Sequence, residues 1–132
     1  MTREQVEASH ARRILVVEDD AAAMSFLDAL LTDRGYRVTK AQNGVEAMVA
    51  LTVEDAQRPH AILLDIGLPL EGGISVLTFL RNVLRSSIPV IVVTGRQEPE
   101  EEETVKKLGI SAFLRKPPNA DQILSALSRA LS

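Results

Sequence analysis

The sequence contains no cysteine and few aromatic residues. Without cysteine, a disulfide scaffold, a thiolate metal site and a cysteine nucleophile are all excluded. With 3% aromatic residues and no tryptophan, a surface that stacks on nucleic acid bases is not expected. A formal net charge of −3 also argues against DNA or RNA as a direct ligand.

The sequence also lacks long apolar stretches. No run approaches the roughly 18 residues that a membrane span requires, and residues 1–12 lack the apolar segment of a secretory signal. We therefore expect a cytoplasmic protein that does not bind a membrane. The 132 residues, 45% hydrophobic and 25% charged, suit a single globular domain.

Three short apolar runs predict buried strands, at Ile14–Val17, Ala61–Leu64 and Val90–Val93. None of them alternates apolar with polar residues, which is typical of strands covered on both faces in a parallel sheet. Weaker strand signals lie at Arg37–Ala41 and Ala112–Arg115. The five strands recur roughly every 24 residues, about the length of one βα unit.

A helical pattern follows each predicted strand. The first helix has an apolar stripe at helical spacing, formed by Ala23, Phe26, Leu27, Leu30 and Leu31. The other helices are marked by a capping box of Asn43 and Glu46, by a stripe of Leu77, Leu80 and Leu84, by Pro99 and by Asn119. The chain is therefore (βα)5, and right-handed crossovers make it a doubly wound sheet.

Polar residues follow four of the predicted strands. In open α/β sheets, ligands bind at the carboxyl ends of the strands, and those ends carry Glu18, Asp19, Asp20, Asp65, Thr94 and Lys116. Carboxylates that lie close together repel each other, and a hard cation such as Mg²⁺ relieves the repulsion. A lysine and a hydroxyl at the same edge can hold an anion. The sequence thus predicts a site for Mg²⁺ and a phosphoryl group.

Four segments together carry a resemblance to a known family: RILVVEDD (Arg13–Asp20), LLDIGLP (Leu63–Pro69), PVIVVTG (Pro89–Gly95) and FLRKPP (Phe113–Pro118). Their order and spacing resemble the receiver domain of two-component response regulators over about residues 12–131. The resemblance implies a flavodoxin-like α/β fold with a five-stranded parallel sheet in the order 2-1-3-4-5. We expect a receiver domain over residues 12–132, preceded by a flexible arm over residues 1–11.

The resemblance also implies the acceptor and the metal ligands. Asp65 aligns with the aspartate that accepts the phosphoryl group and also contacts the metal. Asp19 would bind Mg²⁺ directly, Glu18 would bind it through water, and Gly67 would supply a backbone carbonyl. Asp20 is expected only to cap the first helix.

Further roles follow from the same alignment. Thr94 and Lys116 align with the residues that bind the phosphoryl oxygens, and Thr94 with Phe113 aligns with the pair that switches conformation. Gly73 aligns with the glycine of the loop after the acceptor strand. Arg96, near the mouth of the site, and Gly67, two residues after the acceptor, are candidate modulators of the phosphoryl group.

The implied partners are a histidine kinase or a histidine phosphotransfer protein as donor, and an unidentified output protein. Phosphorylation would change the surface of the fourth helix, fifth strand and fifth helix. The protein would be a monomer or a phosphorylation-dependent dimer, because Lys106, Lys107 and Arg115 could pair with acids across a two-fold axis. The acidic run at Glu98 and Glu100–Glu103 is expected to be a solvated first helical turn.

Other functions stay open or are disfavoured. A phosphorylation-independent docking module is one alternative, although the complete set of site residues argues against it. A Mg²⁺-dependent phosphohydrolase with an aspartyl nucleophile typically has a second aspartate where this chain has Gly67. Dinucleotide binding needs a glycine-rich turn where this chain has Glu18, Asp19 and Asp20. The sequence fits a stand-alone protein whose output is a protein contact or the onward transfer of the phosphoryl group in a relay, and it equally fits a domain of a longer regulator.

Overall fold

A computed structural model describes residues 11–54, 57–68, 72–95 and 98–132. Its five parallel strands form one sheet, in the order β2-β1-β3-β4-β5. They are β1 (Arg13–Val17), β2 (Arg37–Ala41), β3 (Ala61–Leu64), β4 (Val90–Thr94) and β5 (Ala112–Arg115). The predicted fold and strand order are confirmed. Residues 1–10 of the predicted arm and Arg96 lie outside the described ranges.

Five helices follow the strands: α1 (Ala21–Asp33), α2 (Gly44–Leu51), α3 (Gly73–Thr78), α4 (Pro99–Leu108) and α5 (Ala120–Ala130). After α3 the chain continues as a π-helical turn over Phe79–Val83. Among the described residues, no helix combines the length and the apolar character needed to cross a membrane.

Side-chain caps explain where several helices begin. The Asp20 carboxylate accepts a hydrogen bond from the Ala23 N–H at the start of α1, as predicted. Asn43 caps α2 by accepting from the Glu46 N–H, but the Glu46 side chain accepts from the Gln42 N–H instead of closing a capping box. A complete capping box forms at α5, between Asn119 and Gln122.

The two faces of the sheet bury separate clusters, which is why the central strands are apolar throughout. Leu15, Val17 and Leu64 belong to the cluster under α2, α3 and α4. Ile14 and Val16 belong to the cluster under α1 and α5. Because successive strand residues point to opposite faces, each continuous apolar run fills both clusters.

One predicted core residue lies at the surface. Phe26 of α1 is 46% exposed, whereas Met24, Leu27 and Leu31 are the buried residues of that helix. Their spacing of three and four residues fixes the buried face, and Phe26 lies about 100° from Leu27 around the helix. The helix contains few polar residues, so its sequence defines the buried face poorly.

Candidate metal and phosphoryl site

The strand register brings the acidic residues together. Val17 of β1 pairs with Leu64 of β3, so Glu18 and Asp65 leave the sheet side by side. The Asp65 N–H donates to the Val17 carbonyl at 3.1 Å. One carboxylate oxygen from each of Glu18, Asp19 and Asp65 lies within 4.8 Å of the other two. Such a group of oxygen ligands fits a hard divalent cation such as Mg²⁺.

Lys116 contacts two of these carboxylates. It directly follows β5, whose last residue, Arg115, pairs with Thr94 of β4. Its Nζ atom lies 2.7 Å from Oε2 of Glu18 and 2.9 Å from Oδ2 of Asp65. The predicted acceptor, the predicted lysine and one predicted metal ligand are therefore in direct contact.

Backbone N–H groups hold the other carboxylate oxygens. The Gly67 N–H donates to Oδ1 of Asp65 at 2.8 Å, and the Asp20 N–H donates to Oε1 of Glu18 at 3.1 Å. Each of the two acids thus has one oxygen fixed by the backbone and the other by Lys116. This arrangement fixes the orientation of the Asp65 carboxylate.

Burial shapes the ionisation of this group. Glu18 is 3% exposed, and burial raises its pKa despite the hydrogen bonds from Lys116 and from the Asp20 N–H. Burial acts to lower the pKa of Lys116, but the hydrogen bonds to Glu18 and Asp65 outweigh it and raise that pKa above its usual value. Lys116 therefore remains a cation at neutral pH, and it is the counter-ion of the buried acids.

Gly73 lies against the backbone of Asp65 and Ile66. A Cβ atom at this position would lie 2.3 Å from Cα of Ile66 and 2.6 Å from the carbonyl oxygen of Asp65. By contrast, a Cβ atom on the neighbouring Gly72 would meet nothing within 4 Å. The start of α3 can approach the turn after Asp65 only because residue 73 is glycine.

The predicted switch residues lie on the face of the sheet that α4 covers. Thr94 is fully buried at the end of β4. Phe113 pairs with Val92, which lies two residues before Thr94. Phe113 is half-buried and packs against the core cluster under α4. The guanidinium of Arg115 lies 4.9 Å from the centre of the Phe113 ring, and Nζ of Lys106 lies 5.9 Å from it.

Two features of the site were not predicted. A groove extends from Glu18 and Lys116 along α1 to Pro118, and Phe26 forms part of its wall. The cations Lys106 and Arg115, which are predicted to be able to pair with acids across a two-fold axis, contact Glu102 of the same chain. A contact between α4 and β5 depends on the packing of the two elements, so no local sequence pattern reveals it.

The fold and these residues define a class of protein in which a doubly wound sheet carries an acidic cluster and a lysine at the carboxyl ends of its strands. Comparison with known families agrees, since the response regulator receiver domain matches residues 14–128. The chain belongs to this family and is a receiver domain of two-component signalling.

Individual relatives support the assignment. The chain is 34% identical to the transcriptional regulatory protein KdpE of Staphylococcus aureus over 111 residues, which are 84% of this chain and 46% of KdpE. It is 32% identical over 121 residues to protein PilH of Pseudomonas aeruginosa, covering 91% of this chain and 98% of PilH. The chain thus spans about half of KdpE and nearly all of PilH.

A solved structure shows the same fold. The CheY-like receiver domain protein from Methanospirillum hungatei superposes with a TM-score of 0.85 and 29% identity. The superposition covers 92% of this chain and 94% of that one. The predicted family is therefore confirmed by sequence and by structure.

Proposed function

We propose that Asp65 accepts a phosphoryl group from a phosphohistidine of a histidine kinase or a histidine phosphotransfer protein. The observation that supports this most directly is the contact of Lys116 with Asp65, inside a cluster of three carboxylates. An acidic cluster without a lysine would only bind cations. With a lysine beside it, the lysine can bind a phosphoryl oxygen while the carboxylate attacks phosphorus.

The reaction is a phosphoryl transfer in line. An oxygen of Asp65 forms a bond to phosphorus, the phosphorus–nitrogen bond of the donor breaks, and the donor imidazole keeps the electron pair and gains a proton. Glu18, Asp19, Asp65 and the carbonyl of Gly67 would hold Mg²⁺, which would neutralise charge on the transferred group. Lys116, with its raised pKa, remains charged and binds a phosphoryl oxygen.

We also propose that the modified aspartate acts as a switch. Thr94 would turn toward the new oxygens, and Phe113 would follow inward, which changes the surface formed by α4, β5 and α5. An output protein that prefers this surface would then bind. Residues 12–132 would form the receiver domain, acting in the cytoplasm.

The donor would approach along the groove beside α1. This groove opens at Lys116 and has the exposed ring of Phe26 in its wall. An exposed aromatic side chain next to buried charges suits a protein partner, because it adds apolar contact area where the reacting groups meet. This placement supports a protein donor in addition to small phosphoryl donors.

Intact mass measurement after incubation with acetyl phosphate and Mg²⁺ tests the proposal. We expect a gain of one phosphoryl group, which is lost when Mg²⁺ is removed and lost in the Asp65→Asn variant. Asp65→Asn keeps an oxygen for the Gly67 N–H, so the variant is expected to fold. A folded wild-type protein that gains no mass with acetyl phosphate, with phosphoramidate or with a phosphorylated histidine phosphotransfer protein would contradict the proposal.

A further inference from the structure

Two cations lie over the ring of Phe113. The Arg115 guanidinium is 4.9 Å and the Lys106 ammonium 5.9 Å from the ring centre, and both distances suit cation–π contacts. Arg115 belongs to β5, two residues after Phe113, and Lys106 belongs to α4. The ring is therefore packed against the core on one side and contacted by charges from two elements.

Glu102 holds both cations in place. Its Oε1 accepts from Nζ of Lys106 at 3.0 Å, and its Oε2 accepts from Nη2 of Arg115 at 3.0 Å. Two positive charges near one ring repel each other, and a carboxylate between them removes that repulsion. The Glu102 side chain is also less exposed than either cation, which strengthens its charge interactions.

The strand register places this cluster beside both switch residues. Arg115 pairs with Thr94 between β4 and β5. Phe113 lies two residues before Arg115 and therefore on the same face of the sheet. A movement of Thr94 and Phe113 therefore takes place directly beside the Arg115 backbone. The contact between Arg115 and Glu102 also connects this part of β5 to α4.

We propose that Glu102 is a positioning residue for the switch: by holding Lys106 and Arg115 over Phe113, it sets the resting orientation of the ring. The three charged residues Glu102, Lys106 and Arg115 form the ring-covering cluster. Inward rotation of Phe113 removes the ring from the two cations, so the cluster stabilises the unphosphorylated state. This regulatory role rests on the proposed function, whereas the position of the resting ring does not.

The resting state can be measured by fluorine NMR. The chain has three phenylalanines, Phe26, Phe79 and Phe113, so protein labelled with 4-fluorophenylalanine gives three resonances. The Phe113→Leu variant identifies the resonance of interest. We expect Glu102→Gln, which removes the charge and keeps the shape, to move the Phe113 resonance toward its position in the phosphorylated wild-type protein. The population of the second ring orientation should rise about two- to five-fold, as expected from losing an exposed cation–π contact.

Glu103→Gln is the matched control. Glu103 is the next residue of α4, and its carboxylate pairs with Lys107 at 3.2 Å, so the substitution removes the same charge from the same helix. It should leave the Phe113 resonance unchanged. Equal displacement of that resonance by both substitutions, or none by Glu102→Gln, would overturn the proposal. Circular dichroism of both variants distinguishes a moved ring from an unfolded helix.

The regulatory role needs a separate comparison. At equal phosphorylation, verified by intact mass, a larger share of Glu102→Gln than of wild-type protein should show the displaced resonance. Equal shares would overturn the regulatory role. If the wild-type protein gains no phosphoryl group, the proposed function fails, and the comparison of Glu102→Gln with Glu103→Gln still decides whether Glu102 positions the ring.

Discussion

Lys116 lies closer to Glu18 than to Asp65, at 2.7 Å and 2.9 Å respectively. The lysine is thus shared between the acid that is expected to accept the phosphoryl group and one of the acids expected to bind the metal. Both acids are buried, so each depends on a positive charge that stays close. A cation bound at the cluster would take over part of the role of Lys116.

We therefore expect Lys116→Met to destabilise the protein in the absence of divalent cations. The substitution leaves two buried carboxylates without their counter-ion, which costs about 2 kcal/mol in the free energy of unfolding. Mg²⁺ should then stabilise the variant more than the wild type, because it replaces the missing charge. Urea unfolding with and without Mg²⁺ measures both effects.

Lys107→Met is the control for this variant. Lys107 is largely exposed and pairs with Glu103 on the surface of α4, so its loss should change stability by less than about 0.5 kcal/mol. If Lys116→Met is as stable as Lys107→Met without Mg²⁺, the lysine is not the counter-ion of the buried acids.

Two neighbouring aspartates are expected to have different functions. Asp20 caps α1, so Asp20→Ala should lower the free energy of unfolding by about 1 kcal/mol and preserve the stabilisation by Mg²⁺. Asp19 is exposed and lies in the carboxylate cluster, so Asp19→Asn should leave the metal-free stability nearly unchanged and abolish the stabilisation by Mg²⁺. Unfolding in urea at several Mg²⁺ concentrations separates the two effects. The opposite pattern would assign the metal to Asp20.

The paired glycines at the start of α3 give a further prediction. In Gly73→Ala the new methyl group overlaps the backbone of Ile66 and Asp65, so the turn after Asp65 must move and stability should fall by at least about 2 kcal/mol. Gly72→Ala meets no neighbour and should change stability by only a few tenths of a kcal/mol. Thermal unfolding of the two variants compares them. Equal melting temperatures would show that α3 can move away without cost.

The sequence predicts the parts of this site that depend on strand ends. Glu18 and Asp65 each follow an apolar run, and parallel strands bring such ends together at one edge. The helix cap at Asp20 was also predictable, because it depends only on residues within one turn. These features follow from local pattern and strand order alone.

Other features depend on how finished elements pack. The sequence predicts that Phe26 is buried, yet its side chain is exposed. The prediction is wrong because a helix with few polar residues does not define its own buried face. Glu102 belongs to an acidic run that suggests a solvated turn, yet it contacts β5 through Arg115, thirteen residues away. The π-helical turn after α3 has no local signal that we recognise. Such contacts require the positions of two elements at once.

The last prediction concerns His60, which directly precedes β3 and therefore lies at the opposite end of that strand from Asp65. Its Nδ1 accepts from the Arg13 N–H at 2.9 Å, and burial with Arg13 and Arg12 nearby lowers its pKa. Between that lowered pKa and about 6.5, the unfolded chain binds a proton that the folded protein does not. Stability should therefore be complete above about pH 6.5 and fall as the pH decreases through this window. His60→Asn keeps an acceptor but cannot titrate, so urea unfolding between about pH 5.5 and 7.5 should show a smaller dependence than the wild type. An unchanged pH dependence would mean that His60 is not the group responsible.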